Sequence, residues 1–317
     1  MLKKCPIWGF KAMAPKIIAA EQIRESVLSA VGEIFCQPNP ETLNLLRLAL
    51  DRETDELARD MLEAMLDNAE LAEKDQVPTC QDTGLLVVFA ELGNQVLIAD
   101  GALRGIIQFA AAEAWKRYYL RNSLAPDPLR GKLNLYLDPL PHSVQRDKST
   151  QQTELDLNKS LPVILHLEQV KGDNLKLFFG LKGGGAENVS VLKMFDPTAT
   201  PQEIEDFVVE TVAFAGGKPC PPVTVGIGIG GDFEYSAVLA KKSLFMPAEY
   251  FSGDDPLRLW EKRILSQINQ RGNGVQGMGG KTTALAVRIL TAPCHIASLP
   301  VAVNMDCHSH RCTSRIL

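Results

Sequence analysis

Three of the seven cysteines stand where a packed core would not put them. Cys80 opens CQDTG, Cys220 opens CPPVTVGIGIGG and Cys307 opens CHSHR, each at a turn beside Gly, Pro or polar residues. A cysteine kept for packing belongs inside an apolar stripe. Three thiols drawn from three distant loops require a fold that brings those loops together. Two kinds of site use such a set. One is a zinc ion with three Cys ligands. The other is an iron–sulfur cluster held by three Cys, which leaves one iron with an open position that can act as a Lewis acid. The remaining cysteines, Cys5, Cys36, Cys294 and Cys312, read as small buried hydrophobes. The odd count, the absence of a CxxC pair and the lack of an export signal argue against a disulfide framework or a zinc ribbon.

The glycine-rich stretches offer competing readings, and spacing weakens both. RGNGVQGMGGKTTAL, residues 271–285, ends like a phosphate-binding loop. Counting back from Gly280-Lys281-Thr282, the first glycine of such a loop should stand at 275, where the residue is Val275. Gly274 is one position too early, and 36 residues after Lys281 leave no room for the strands and carboxylate that hold magnesium. GIGIGG matches the dinucleotide fingerprint with Gly226, Gly228 and Gly231. It lies two thirds of the way along the chain. The only acid at the right distance, Glu249, does not end a strand-like segment. The glycines are expected to let backbones approach closely for another purpose.

Patterning along the chain predicts a mixed α/β (α+β) fold, with a helical N-terminal third followed by mixed strands and helices. Residues 20–75 carry apolar residues at helical spacing, LLVVFAEL reads as a buried strand, and a helix is expected to run on to Asn122-Ser123. LPVILHLEQV and LKLFFGLK, joined by KGDN, read as a hairpin. Residues 1–19 are expected to be an extension, 20–317 one domain, and 132–160 a loop or insertion. The formal net charge of −5 and the lack of a basic, aromatic-interleaved stripe give no support to nucleic-acid binding. No run of 18 apolar residues occurs, and the broken apolar start is a poor signal peptide, so a cytoplasmic, non-membrane chain is expected.

CQDTG, KGGGAEN, the CPP–GIGIGG segment, GVQGMGGKTTAL, HIASLPVAVN and CHSHR follow one another in this order. In that order they resemble the α part of the iron–sulfur fumarate hydratases and tartrate dehydratases, from about Ala20 to Arg311. The resemblance implies a [4Fe–4S] cluster held by Cys80, Cys220 and Cys307, whose fourth iron meets a hydroxyl and a carboxylate of the substrate. It implies substrate contacts from Gln81, Asp82, Arg121, Gly184 and His295. An arginine fork facing a carboxylate suits a dicarboxylate physically. KGGG and GGKTT look closer to the fumarase branch, so fumarate hydratase is the expected activity. A tartrate dehydratase α subunit is the close alternative, and a non-enzymatic iron–sulfur sensor the second. The resemblance also implies that the general base lies on a β part. With ten residues after Cys307, that part is expected as a partner β subunit. Residues 132–160 and the tail RCTSRIL depart from the family pattern, and Lys281 has no assigned role.

Overall fold

The computed structural model describes residues 14–121, 123 and 163–317. The loop expected at 132–160 and the first thirteen residues of the expected extension lie outside the described residues. Lys16–Ile18, inside that expected extension, form strand β1, and Ile18 is buried in the core.

The helical third is as the sequence predicts: α1 (Ala20–Ile34), α2 (Pro40–Arg52) and α3 (Glu56–Asp75). Asn39 and Asp55 start α2 and α3 by accepting the amides of Glu41 and Ala58, both at 2.9 Å. β2 (Leu85–Gly93) and β3 (Val96–Ile98) follow, with β1 beside β3. α4 (Leu103–Arg117) is shorter than its pattern predicts, because Tyr119 takes a left-handed backbone (φ 52°) and closes the helix early.

The second half alternates strands and helices. Its elements are β4 (Ile164–Val170), β5 (Leu175–Lys182), a single helical turn α5 (Gly184–Glu187), β6 (Val191–Phe195), α6 (Pro201–Ala215), β7 (Val223–Gly230), α7 (Phe233–Phe245), α8 (Pro256–Arg271), β8 (Ala284–Ala292), β9 (Leu299–Asp306) and β10 (Cys312–Ile316). Two four-stranded sheets result, ordered β10-β5-β2-β4 and β6-β9-β7-β8.

The expected hairpin of β4 and β5 does not form. β2 lies between them, parallel to β4 and antiparallel to β5. Leu86 to Ala90 of β2 are all buried, so this strand takes a central place with cover on both faces. The connection of β4 to β5 instead crosses the end of β2, where Gly93 donates to the carbonyl of Asn174 at 2.9 Å.

The chain is layered. α1 and α4 cover one face of the first sheet through Val27, Val31, Ile107 and Ala111. α6 and α8 cover the outer face of the second sheet through Val208, Val212, Ile264 and Ile268. α7 is buried between the sheets. Its Leu244 and Phe245 meet Val87, Phe89 and Phe178 of the first sheet. Its backbone lies directly on β7, where a Cβ on Gly226 or Gly228 would fall inside the main chain of Ser236 and Ala240. GIGIGG is thus the bed of a helix. This layering sets the C-terminal end of β9 beside the N-terminal end of β7, which positions the loops described next. None of the helices among the described residues is long and apolar enough to cross a membrane.

Candidate functional site

Cys80 lies in the bend between α3 and β2. The bend is pinned from behind by Thr79, whose amide and hydroxyl both donate to the Phe35 carbonyl, at 3.0 and 3.1 Å. Asp82 turns its own amide onto the Cys80 sulfur at 3.4 Å. Its carboxylate accepts the amides of Gly84 at 3.0 Å and Gly184 at 2.8 Å. Burial would raise this carboxyl, but the two amides and the nearby Arg311 guanidinium outweigh it and hold it below the usual range. The KGGG turn is therefore bound to the CQDTG bend.

Cys220 precedes β7 with a left-handed backbone (φ 55°), an unusual state for a residue with a Cβ and one that concentrates at functional sites. Cys307 follows β9. Because β7 and β9 are antiparallel, with Thr224 opposite Asp306, these two cysteines emerge at the same sheet end. The amide of His308 donates to the Cys220 carbonyl at 3.2 Å and stitches the two loops together. Burial raises the Cys220 thiol, and the neighbouring Cys307 and Cys80 raise it further, so both other thiols lie within electrostatic reach of Cys220. Burial and Asp306 raise Cys307, against Arg311 and the Ser309 hydroxyl 3.1 Å from its sulfur. Among the described residues, no three His, Cys, Asp or Glu side chains close into a set that could hold a metal ion.

The glycine stretch that resembles a phosphate loop buttresses this site. Gln276 donates its amide and its side chain to the Pro221 carbonyl, at 2.9 and 2.8 Å. Gly277, at φ 74°, lies so close to Gly217 that a Cβ would stand 2.6 Å from that residue's nitrogen. Lys281 has a structural role. Its amide donates to Glu53 at 2.7 Å, and its ammonium caps the end of α2 at the Arg52 carbonyl, 3.1 Å away.

The structure brings together Cys80, Cys220, Cys307, Gln81, Asp82 and Gly184. Exposed Arg121 reaches them at the limit of hydrogen bonding, with its guanidinium 3.5 Å from the Gln81 carbonyl. His295 is not among them. It follows β8, which runs parallel to β7, so it lies at the sheet end opposite to Cys220. The eight residues of β7 put about 25 Å between the two ends. His295 is exposed and its Nδ1 accepts the Ala297 amide at 3.1 Å. Within one chain it cannot contact a small acid held near the thiols. Cys36 and Cys312 are buried as expected, whereas Cys294 is exposed beside His295.

Sequence reading passed over the buried charges beneath the three loops. Lys182 is buried 3.4 Å from Glu187 and 3.9 Å from Asp306. Asp306 also receives the Cys307 amide at 3.1 Å and pairs with His310 at 2.8 Å. Arg311 donates to the Asp82 carbonyl at 2.9 Å. The available signal was a charge at the end of an apolar strand: Lys182 closes LKLFFGLK and Asp306 closes LPVAVNMD.

The fold and site define a mixed α/β chain with two thiols at one end of the second sheet and a third thiol and an amide-bound aspartate in the bend that leads into the first. The fumarate hydratase (Fumerase) family matches residues 24–315, and the chain belongs to that family. It is 35% identical over 290 residues to the putative L(+)-tartrate dehydratase subunit alpha of Methanocaldococcus jannaschii, covering 92% of this chain and 95% of that protein. It is 25% identical over 293 residues to the L(+)-tartrate dehydratase subunit alpha of Escherichia coli (strain K12), covering 92% of this chain and 90% of that protein.

Proposed function

We propose that this chain is the α subunit of an iron–sulfur hydro-lyase that removes water from a hydroxylated four-carbon dicarboxylate, L(+)-tartrate in preference to malate. The observation that carries the proposal is the convergence of Cys80, Cys220 and Cys307 beside Asp82. The three thiols do not close around a single ion, but a cluster is wider than an ion and their chemistry suits one: three soft thiolate ligands, with buried cations nearby at Lys182 and Arg311. Both cations have a buried nitrogen without a hydrogen-bond partner in the protein, at Lys182 Nζ and Arg311 Nε. Lys182 already has Glu187 and Asp306 as carboxylate neighbours, but buried cationic donors lacking hydrogen-bond partners beside three thiolates suit an anionic group. When bound through three cysteines, a four-iron cluster supplies one open Lewis-acid position.

The chain's own residues supply binding and orientation. Arg121, at the exposed rim of the CQDTG bend, takes a carboxylate of the substrate. Gln81 is exposed beside Cys80 and faces the same space. Asp82, held ionised by two amides, fixes the KGGG turn so that the Gly184 backbone lines the site. Dehydration also requires a base to take a proton from the carbon next to the hydroxyl-bearing one. The relatives are named alpha subunits, and we assign that base to a β subunit.

The relatives' names favour tartrate over fumarate. Against those names stand the KGGG and GGKTT signals for the fumarase branch, of which Lys281 hydrogen-bonds Glu53 and Arg52. The family description retains fumarate hydratase as the second reading. The test is turnover of L(+)-tartrate, malate and fumarate by the reconstituted chain with and without its β subunit. Tartrate turnover that needs both subunits is expected. Faster turnover of malate or fumarate would overturn the substrate assignment, and turnover of none of the three would overturn the hydro-lyase reading.

A further inference from the structure

We infer that Arg311 is a positioning residue for the three-thiol site, tying the loop of the first thiol to the loop of the third and supplying their countercharge. The inference rests on the cluster reading above and names the side chain that holds the site in register.

Arg311 is the largest fully buried side chain among the described residues, at 2% exposure. A guanidinium keeps its proton in proteins, so a full charge stands in the interior. Such burial is costly unless the charge is matched. Lys182, the other buried cation here, has Glu187 and Asp306 as carboxylate neighbours. The Arg311 guanidinium makes its one hydrogen bond among the described residues to a neutral main-chain carbonyl, that of Asp82 at 2.9 Å, and its Nε is buried without a partner. The Asp82 and Asp306 carboxylates act on this charge at longer range, but among the described residues no carboxylate is hydrogen-bonded to it.

Its position explains what the charge is for. Arg311 lies four residues after Cys307, and its carbonyl accepts the Leu181 amide at 3.0 Å, which fixes it to the end of β5. Three residues further on, just past the end of that strand, the Gly184 amide holds the Asp82 carboxylate at 2.8 Å. Asp82 is thus gripped at its carboxylate by the KGGG turn and at its carbonyl by Arg311, while its amide points at the Cys80 sulfur. Removing the guanidinium frees the Cys80 bend from the Cys307 loop. The same charge acts on both Asp82 and Cys307. Groups that orient metal ligands in this way commonly matter to affinity almost as much as the ligands do.

The test uses the full chain, reconstituted without oxygen, with Arg311→Gln and Arg311→Lys. Iron affinity is read by competition with a chelator, the reduction midpoint by titration, and folding of the iron-free protein by its melting temperature. Arg311→Gln should lower iron affinity about 10- to 100-fold. It should also move the midpoint to more negative potential, because losing a nearby positive charge favours the oxidised cluster. Arg311→Lys keeps the charge but not the planar reach to the Asp82 carbonyl, so it should restore the midpoint and leave the affinity lowered. A merely structural role would lower the melting temperature and leave the midpoint unmoved, and that result would overturn the inference, as would an Arg311→Gln protein with wild-type affinity and midpoint. If Arg311→Gln does not fold, Arg311→Lys decides, lowered affinity supporting the inference and wild-type affinity overturning it. Failure of the wild-type chain to take up iron would instead remove the cluster reading itself, and the inference with it.

Discussion

Replacing Cys307 with alanine should reduce bound iron to background and leave the fold intact. Cys307 lies at the end of β9, on a loop that Cys220 and the CQDTG bend both face. A cluster held by three thiolates cannot lose one and keep its geometry, because among the described residues no fourth cysteine stands in reserve. Cys36 and Cys312 are buried elsewhere, and Cys294 is at the far end of the sheet. Cys80→Ala and Cys220→Ala should behave alike, and Cys294→Ala should retain full iron. The measurement is iron per chain after anaerobic reconstitution, with far-ultraviolet circular dichroism as the folding control. Cys220 is exposed and Cys80 and Cys307 are only half-buried, outside the core clusters, so the iron-free variants should melt close to the iron-free wild type.

Gly228→Val should destabilise the protein by about 3 kcal/mol or more, the upper range for forcing volume into a packed interior. The added side chain would enter the main chain of α7 at Ser236 and Ala240. Rotamer changes cannot relieve a clash with a helix backbone, so α7 itself must lift from β7. That movement would disturb both sheets, since α7 also carries Leu244 and Phe245 against Phe89 and Phe178. Chemical denaturation should show the loss directly. Gly253→Ala is the control: it lies in an exposed turn with open space around it, although its positive φ makes even this change mildly unfavourable. Near-wild-type stability for Gly228→Val would contradict the account of GIGIGG as a bed for a helix.

The two glycine motifs show what sequence reading can and cannot reach. Spacing alone excluded the phosphate loop, because Val275 stands where a glycine is needed. Spacing could not say that Gly277 is pressed against Gly217, since that contact joins residues far apart in sequence. The three cysteines were legible because each breaks the apolar context of a core cysteine. Their convergence depends on β7 and β9 being antiparallel neighbours, which the pattern of either strand does not encode. The same limit explains the hairpin that does not form. β4 and β5 are adjacent in sequence and each pairs with β2, whose buried run competes better for the centre of the sheet. His295 is the complementary case. It is close to Cys307 in sequence, but β9 carries the chain away from one end of the sheet to the other. Arg311 and Lys182 escaped notice because a charged letter in a motif looks the same whether it is solvated or buried.

The central claim is that the three thiols hold an iron–sulfur cluster open to a small hydroxy diacid. The most direct test is electron paramagnetic resonance of the anaerobically reconstituted chain with its β subunit, reduced by one electron with dithionite so that the cluster is paramagnetic, with and without L(+)-tartrate, alongside an iron assay. About four irons per chain and a cluster signal shifted by tartrate are the results this account requires. A chain that takes up no iron, or a cluster whose signal tartrate, malate and fumarate all leave unchanged, would contradict it.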